Sequence, residues 1–169
     1  TELLPFVADS ISTIYSRSSA EAQVSIWKQV TETFPKLGQQ NVDVAVGTML
    51  ASWPSIKCSD AAIMLESSLL AQMLKQMKSG ALDETKKVIC SGVGALLTHC
   101  VTSSDASLQV VREELVPLLM DKKIPESVKE SILLAIESVL STAGPDRLSP
   151  EIVPVDALLP YLVFLVNGR

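Results

Sequence analysis

Apolar residues recur every three or four positions along most of the chain, and this spacing predicts α-helices rather than strands. Short segments rich in Gly, Pro, Ser and Asp separate the apolar runs, as expected of helix ends and turns. The sequence therefore predicts an all-α fold of about eight helices in which successive helices pack as antiparallel hairpins. The predicted helices cover about residues 2–16, 20–34, 40–52, 60–78, 84–101, 106–121, 125–142 and 155–167.

Several of these helix ends carry residues with a known preference for them. Asp83 precedes an apolar run and is a candidate N-cap, and the next predicted helix follows Asp105. Pro125 occupies a predicted first helical position, and Gly144 lies just beyond the end of the same helix. The helices over about 106–121 and 125–142 are therefore expected to form one tight hairpin.

One stretch, EELVPLLMDKKIPESVKESILLAIESVL at residues 113–140, places a proline inside an apolar run, breaks, and begins a second run. The second run belongs to a series in which Val42, Thr85 and Val128 follow one another at intervals of 43 residues. Pro117 and Pro160 are also 43 residues apart. Seven, eight and eleven positions after the first series, the same interval relates small or apolar residues: Met49, Gly92 and Ala135; Leu50, Val93 and Ile136; Trp53, Leu96 and Val139.

A period of 40 to 47 residues built from paired helices is typical of helical-repeat arrays. The segment 115–140 resembles the HEAT repeat, in which an outer helix with a Leu-Leu-Pro-like element and a turn containing Asp precede an inner helix. Helix 84–101 resembles a further inner helix. The residues that carry the resemblance are Leu115 to Leu119 with Pro117, Asp121, Val128, Lys129, Ala135, Ile136 and Val139, and in the second helix Lys86, Val93, Gly94 and Leu96.

This resemblance to the HEAT and armadillo class implies a right-handed α-solenoid, with residues 1–169 forming a single HEAT-like domain. We expect the domain to be a piece of a longer solenoid, because the chain begins at Thr1 and its last apolar helix lacks the polar outer face of a capping repeat. Its expected contacts are neighbouring repeats of the same parent chain and other proteins, bound through an extended helical surface.

Composition narrows the function further. The formal net charge is −5, and no run of Lys or Arg exceeds two residues, so nucleic acid is not expected as a partner. The most apolar stretch, residues 153–166, is shorter than the roughly 20 residues that cross a bilayer, so no membrane span is expected. Three cysteines without a CxxC pair favour a reducing, intracellular location, with the cytoplasm first and the nucleus also open.

No residue pattern for chemistry is found. The single histidine, His99, lies beside Cys100, but a metal site usually needs three or four ligands with defined spacing. A nucleophile needs a base within reach, and with one His the sequence shows no convincing catalytic triad. We therefore predict no enzyme activity, no catalytic residue, no metal and no other cofactor. Gly92 and Gly94 are interpreted as a site of close helix packing. Met64, Met73 and Met77 share one face of a predicted helix and are interpreted as core residues, with a partner groove as the alternative.

The predicted function is that of a non-enzymatic scaffold or adaptor segment within a larger protein. The candidate partner-binding residues are polar positions on the predicted inner helices, with an ordinary solvated face as the alternative interpretation. A self-contained helical bundle that binds an apolar ligand or a membrane surface is the alternative function. The candidate residues, expected to be exposed, are Asp43, Lys86, Lys87, Lys129, Glu130 and Glu137.

Overall fold

The all-α prediction is confirmed. The computed structural model describes residue 10, residues 13–33, 68–102 and 105–147, and residues 159 and 163, and these contain no strand. The elements are α1 (Ala20–Thr33), α2 (Ser68–Met77), α3 (Asp83–Val101), α4 (Ala106–Val110), the π segment (Val111–Leu115), α5 (Val116–Met120), α6 (Glu126–Ala143) and the 3₁₀ turn (Pro145–Arg147). The π segment joins α4 to α5, and the 3₁₀ turn follows α6.

The number of helices differs from the predicted eight. Six α-helices have defined bounds within the described residues, and two of them, α4 and α5, belong to the predicted helix 106–121. The first, third and last predicted helices lie mostly or wholly outside these residues. The predicted helix 40–52 lies outside the described residues. Only residues 10 and 13–16 of the predicted first helix, and only Leu159 and Val163 of the predicted last helix, are described, and all of these are helical. Met64 lies outside the described residues.

Two predicted helix ends shift by one residue. Asp83 is the first residue of α3, and the extended residue before it, Leu82, is the N-cap without a side-chain cap. Pro125 is likewise the N-cap of α6 rather than its first residue. Asp105 directly precedes α4 without forming a side-chain cap hydrogen bond, and Gly144 ends α6 with φ at 81°, a conformation that favours glycine.

The π segment explains how a proline fits inside this helix. Pro117 has no N–H, and in an α-helix its ring would clash with the carbonyl group four residues earlier. Directly before it the helix widens, and the backbone N–H of Val116 donates to the carbonyl oxygen of Val111, five residues back. A wider turn relieves such a clash, so the helix continues through the proline to Met120.

Asp121 then reverses the chain. Its side-chain Oδ1 accepts a hydrogen bond from the backbone N–H of Lys123 at 2.8 Å, and its carbonyl oxygen accepts one from Ile124 at 3.2 Å. This is the local turn that Asp favours. The reversal places α5 against α6, and the predicted hairpin of these two helices is confirmed.

A single apolar cluster connects α2, α3, the helix through Pro117, and α6. The methionines Met73 and Met77 are 0% and 1% exposed, which confirms their prediction as core residues. The cluster forms because each helix turns one apolar stripe towards the others. Its largest fully buried members are Tyr15, Met73, Met77, Ile89, Leu96, Leu97, Leu108, Leu115, Leu119 and Ile132.

The two long helices α3 and α6 run side by side in the same direction. A Cβ atom added at Gly94 would lie 2.7 Å from the Cβ of Ala135, so the two backbones approach closely there. One turn further along both helices, Thr98 Oγ1 lies 3.0 Å from Ser138 Oγ. The residue numbers of the two contacts rise together along both helices, so α3 and α6 are parallel. The close packing predicted for Gly94 is confirmed.

Candidate interaction surface

The six candidate residues do not form one exposed patch. Asp43 lies outside the described residues. Lys86 is 8% exposed and Lys129 is 7% exposed, so the expectation that these two lysines are exposed is wrong. Both lie at the edge of the helix face that packs on the core, where a lysine stem adds apolar contact while its ammonium group reaches outward. The Lys129 ammonium lies 3.2 Å from Glu126 Oε1.

Lys87 lies at the junction between α3 and α6. Its ammonium donates to Glu84 Oε1 at 2.8 Å. This hydrogen bond, with the negative charges of Glu84, Asp83 and Glu130, raises the pKa of Lys87. Glu130 belongs to α6, so Lys87 and Glu130 interact across the two helices near their first turns.

Glu130 and Glu137 are exposed, as expected. They lie seven residues apart on α6, which is about two helical turns, so both project from one side of that helix. Leu134 lies between them on the same side and is 60% exposed. Of the predicted residues, the structure thus brings Lys87 and Glu130 together and places Glu137 on the same side of α6 as Glu130.

The contact between α3 and α6, which we call the α3–α6 seam, is formed by Gly94 and Thr98 of α3 and by Ala135 and Ser138 of α6. Thr98 and Ser138 were not among the predicted residues. Their helical spacing from Gly94 and Ala135 is the signal that could have found them, since residues three or four apart share a helix face.

Arg147, in the 3₁₀ turn after α6, contacts the end of α3. Its guanidinium donates to the carbonyl oxygen of Val101 at the end of α3 and to the carboxylate of Asp105, with Nε 3.2 Å from Asp105 Oδ1. A cation at the C-terminus of a helix is favourable because the last carbonyl groups carry partial negative charge. The side chain therefore ties the segment after α6 to the end of α3. No local sequence pattern indicates this contact.

Groups suited to chemistry are not assembled in this region. Cys90 is 2% exposed with its Sγ 3.4 Å from Met77 Sδ, and burial raises the pKa of its thiol to about 12. A thiol with such a pKa stays protonated at neutral pH and is a poor nucleophile. Across the described ranges, no group of three or more His, Cys, Asp or Glu residues could hold a metal ion.

Among the described residues, three buried side-chain polar atoms have no hydrogen-bond partner: Gln23 Oε1, Gln72 Oε1 and Ser107 Oγ. Ser107 lies on α4, whereas the two glutamines lie on α1 and α2, so the three atoms belong to separate parts of the fold. They form no common polar cavity. We assign them no role in the interaction surface.

Comparison with known proteins adds no relative. No protein-family model matches the chain, and no curated protein and no solved structure gave a significant match. Within the part of the chain that the structure describes, no helix is both long enough and apolar enough to cross a membrane.

Proposed function

We propose that this chain is a non-enzymatic segment of a HEAT-like helical array, a right-handed solenoid that serves as a scaffold or adaptor by binding other proteins. The observation that carries the proposal is the parallel packing of α3 and α6. These helices contain the residues related by the 43-residue period, and Gly94 and Thr98 of α3 lie against Ala135 and Ser138 of α6 in the same order.

This arrangement is what stacked repeats require. In a helical array, each repeat contributes one helix to a row, and successive helices in the row run in the same direction. The connecting helix, which passes through Pro117, runs back between them and packs on the same core. A rigid row of this kind offers side chains from several helices to one partner, and recognition follows from shape and charge with no chemical step.

The face available for binding lies beside the α3–α6 seam. Ser91 of α3 and Ser127 of α6 are exposed, and Ser131 is half-buried. The Ser91 hydroxyl donates to the carbonyl oxygen of Lys87, and the Ser131 hydroxyl donates to that of Ser127, so both are held against their own helices. We call Ser91, Ser127 and Ser131 the serine face. Its three side chains are small and carry no charge, so a partner surface can approach the two helices closely there.

The proposal is tested by affinity capture from cell extract with the full chain, followed by titration calorimetry with each purified captured protein. We expect the double variant Ser91→Arg with Ser127→Arg to bind such a protein at least about tenfold more weakly, because two long cations would obstruct the face. The matched control is Ser25→Arg with Gln29→Arg on α1, two exposed positions away from α3 and α6. This control should bind as the wild type does.

The alternative function, a self-contained helical bundle that binds an apolar ligand, predicts a different result. If native mass spectrometry of the purified chain showed a stoichiometric apolar molecule, and no captured protein bound the pure chain, the scaffold proposal would be wrong and a ligand-binding bundle would replace it. Equal weakening by the serine-face variant and the α1 control would also contradict the proposal, because charge alone would then explain the loss.

A further inference from the structure

The contacts that hold α3 and α6 together lie at different places along the two helices. The closest approach, between Gly94 and Ala135, lies near the middle of both helices. The hydroxyl groups of Thr98 and Ser138 meet one turn further on. Arg147 acts beyond both, where α3 and α6 end. The middle of the pair is therefore held by backbone contact, and its C-terminal end is held by side chains.

Arg147 connects three elements through one side chain. Its guanidinium donates to the carbonyl oxygen of Val101, the last residue of α3, and to the carboxylate of Asp105, which directly precedes α4. Arg147 itself follows α6, after a turn that begins at Gly144. We call Arg147, the Val101 carbonyl group and the Asp105 carboxylate the Arg147 strap. It joins the ends of α3 and α6 to the start of α4.

The strap acts at a distance from the closest approach of the two helices. Val101 lies about 10 Å beyond Gly94 along α3, given a rise of about 1.5 Å per residue. A change of about 10° in the angle between the helices therefore moves the end of α3 by about 2 Å relative to α6. Such a change lies within the scatter of about 15–20° among packed helix pairs. Contact at Gly94 thus tolerates a range of angles, and a side chain bonded at the helix ends selects one of them.

We propose that the Arg147 strap is a conformational device that sets the angle between α3 and α6 about their closest approach, and with it the curvature of the helix row. While the strap is intact, one guanidinium holds the ends of both helices at a fixed separation. When it is broken, the contact between Gly94 and Ala135 persists, the angle relaxes, and the last turns of the two helices separate.

The sequence indicates that the strap belongs to this junction and is not a general feature of the repeat. One period before Arg147 and Asp105 the chain has Ser104 and Ala62, which are uncharged. The side chains of Arg147 and Asp105 are 31% and 80% exposed, so dissolved ions screen their attraction. The restraint is therefore local and sensitive to ionic strength. It concerns the shape of the row, so it goes beyond the proposed function and does not depend on the binding of any partner.

The test measures distances within the full chain by double electron–electron resonance. Nitroxide labels are attached to p-acetylphenylalanine, so the native cysteines stay unchanged. One labelled pair, Thr102 with Thr142, reports on the ends of α3 and α6. The other, Ser91 with Leu134, reports on the middle of both helices near Gly94. All four labelled positions are exposed.

Arg147→Ala should lengthen the mean 102–142 distance by about 2 Å and broaden its distribution, while the 91–134 distance should change by less than about 1 Å. Arg147→Lys should give a distance between those of the wild type and Arg147→Ala, because an ammonium keeps the charge but lacks the planar fork. Salt at about 1 M should broaden the wild-type 102–142 distribution and leave that of Arg147→Ala unchanged. The matched control, Arg17→Ala, removes an exposed cation before α1 and should alter neither distance.

An unchanged 102–142 distance in Arg147→Ala would overturn the inference. Equal lengthening of both labelled pairs would also overturn it, because the helices would then separate as a whole instead of changing their angle. Circular dichroism checks that each variant is folded. If Arg147→Ala does not fold, Asp105→Ala replaces it: this variant keeps the contact to Val101 and should show a smaller shift of the same kind, and no shift in it would equally overturn the inference.

Discussion

The helices α3 and α6 are similar in length and direction but differ in how much of their surface is covered. In α3, 11 of 19 residues are buried, on faces towards α2, the connecting helix and α6. In α6, 7 of 18 residues are buried, and Glu130, Leu134 and Glu137 are exposed. Equivalent positions in one period thus serve as packing on α3 and as surface on α6. Whether a position is buried therefore depends on which helices lie beside it and not on residue type alone.

The largest effects should come from the shared core positions. Ile89 of α3 and Ile132 of α6 are equivalent in the period and are both 0% exposed. We expect Ile89→Ala and Ile132→Ala each to lower the free energy of unfolding by about 2–5 kcal/mol, because each leaves a cavity. Leu134→Ala is the matched control and should cost under about 0.5 kcal/mol. Urea denaturation measures the free energy of unfolding of all three variants. A loss for Leu134→Ala near that of the isoleucine variants would show that Leu134 is covered.

The seam itself is tested by the next largest change. Gly94→Ala would bring a methyl group to 2.7 Å from the Cβ of Ala135 and 3.0 Å from its Cα, so the helices must move apart. We expect destabilisation of about 1–3 kcal/mol, the usual effect of overpacking. At Gly80 an added Cβ meets nothing within 4 Å, and Gly80→Ala should be nearly neutral. Thermal or urea unfolding of the two variants measures the change in the free energy of unfolding. If Gly94→Ala left it unchanged, the close approach of α3 and α6 would be contradicted.

A smaller effect is expected where Arg147 ties the end of α3 to the segment after α6. Arg147→Ala removes the contacts to the carbonyl group of Val101 and to Asp105, and should lower the free energy of unfolding by about 1–2 kcal/mol. Arg147→Lys should recover only part of this, because an ammonium cannot reproduce the planar guanidinium fork. Urea unfolding again provides the measurement, and full recovery by lysine would indicate that charge alone matters.

The smallest effect at neutral pH belongs to Cys90, whose equivalent in α6 is Leu133. Burial raises the pKa of the Cys90 thiol from 9.0 to about 12. The folded protein therefore keeps this proton while the unfolded chain loses it, so the free energy of unfolding should fall as pH rises from about 9 to about 12 and be unaffected below that range.

The matched variant for this prediction is Cys90→Ala, which removes the thiol and should remove this component of the pH dependence. The difference in unfolding free energy between wild type and variant, followed from pH 7 to pH 11, is the measurement. A difference that stays constant with pH would mean that the thiol is not held in its neutral form. Iodoacetamide should correspondingly modify Cys90 far more slowly in the folded protein than in urea.

Helix positions could be predicted from sequence because apolar spacing and turn residues are local. The bounds of α3 and α6 agree with the predicted ranges to within one residue, and Gly94 was identified as a packing site. Lys86 and Lys129 were misjudged because a charged end group reveals nothing about where a long apolar stem packs.

Two other features depend on contacts that sequence spacing does not reveal. The π segment before Pro117 reflects a choice between bending, breaking and widening a helix, and all three accommodate a proline. The Arg147 contact joins residues that are 42 and 46 positions apart. Its donors and acceptors meet only after α3 and α6 have packed, so no local pattern contains it.

The parallel order of α3 and α6 is the central claim, and disulfide trapping tests it most directly. Thr98 Oγ1 and Ser138 Oγ lie 3.0 Å apart, so Thr98→Cys with Ser138→Cys should form a cross-link under mild oxidation, identified by peptide mapping. Thr98→Cys with Ser127→Cys should not form a cross-link, since residue 127 lies about 16 Å from residue 138 along α6, towards its first turn. Cross-linking of the 98–127 pair in place of the 98–138 pair would show antiparallel helices and would contradict the account.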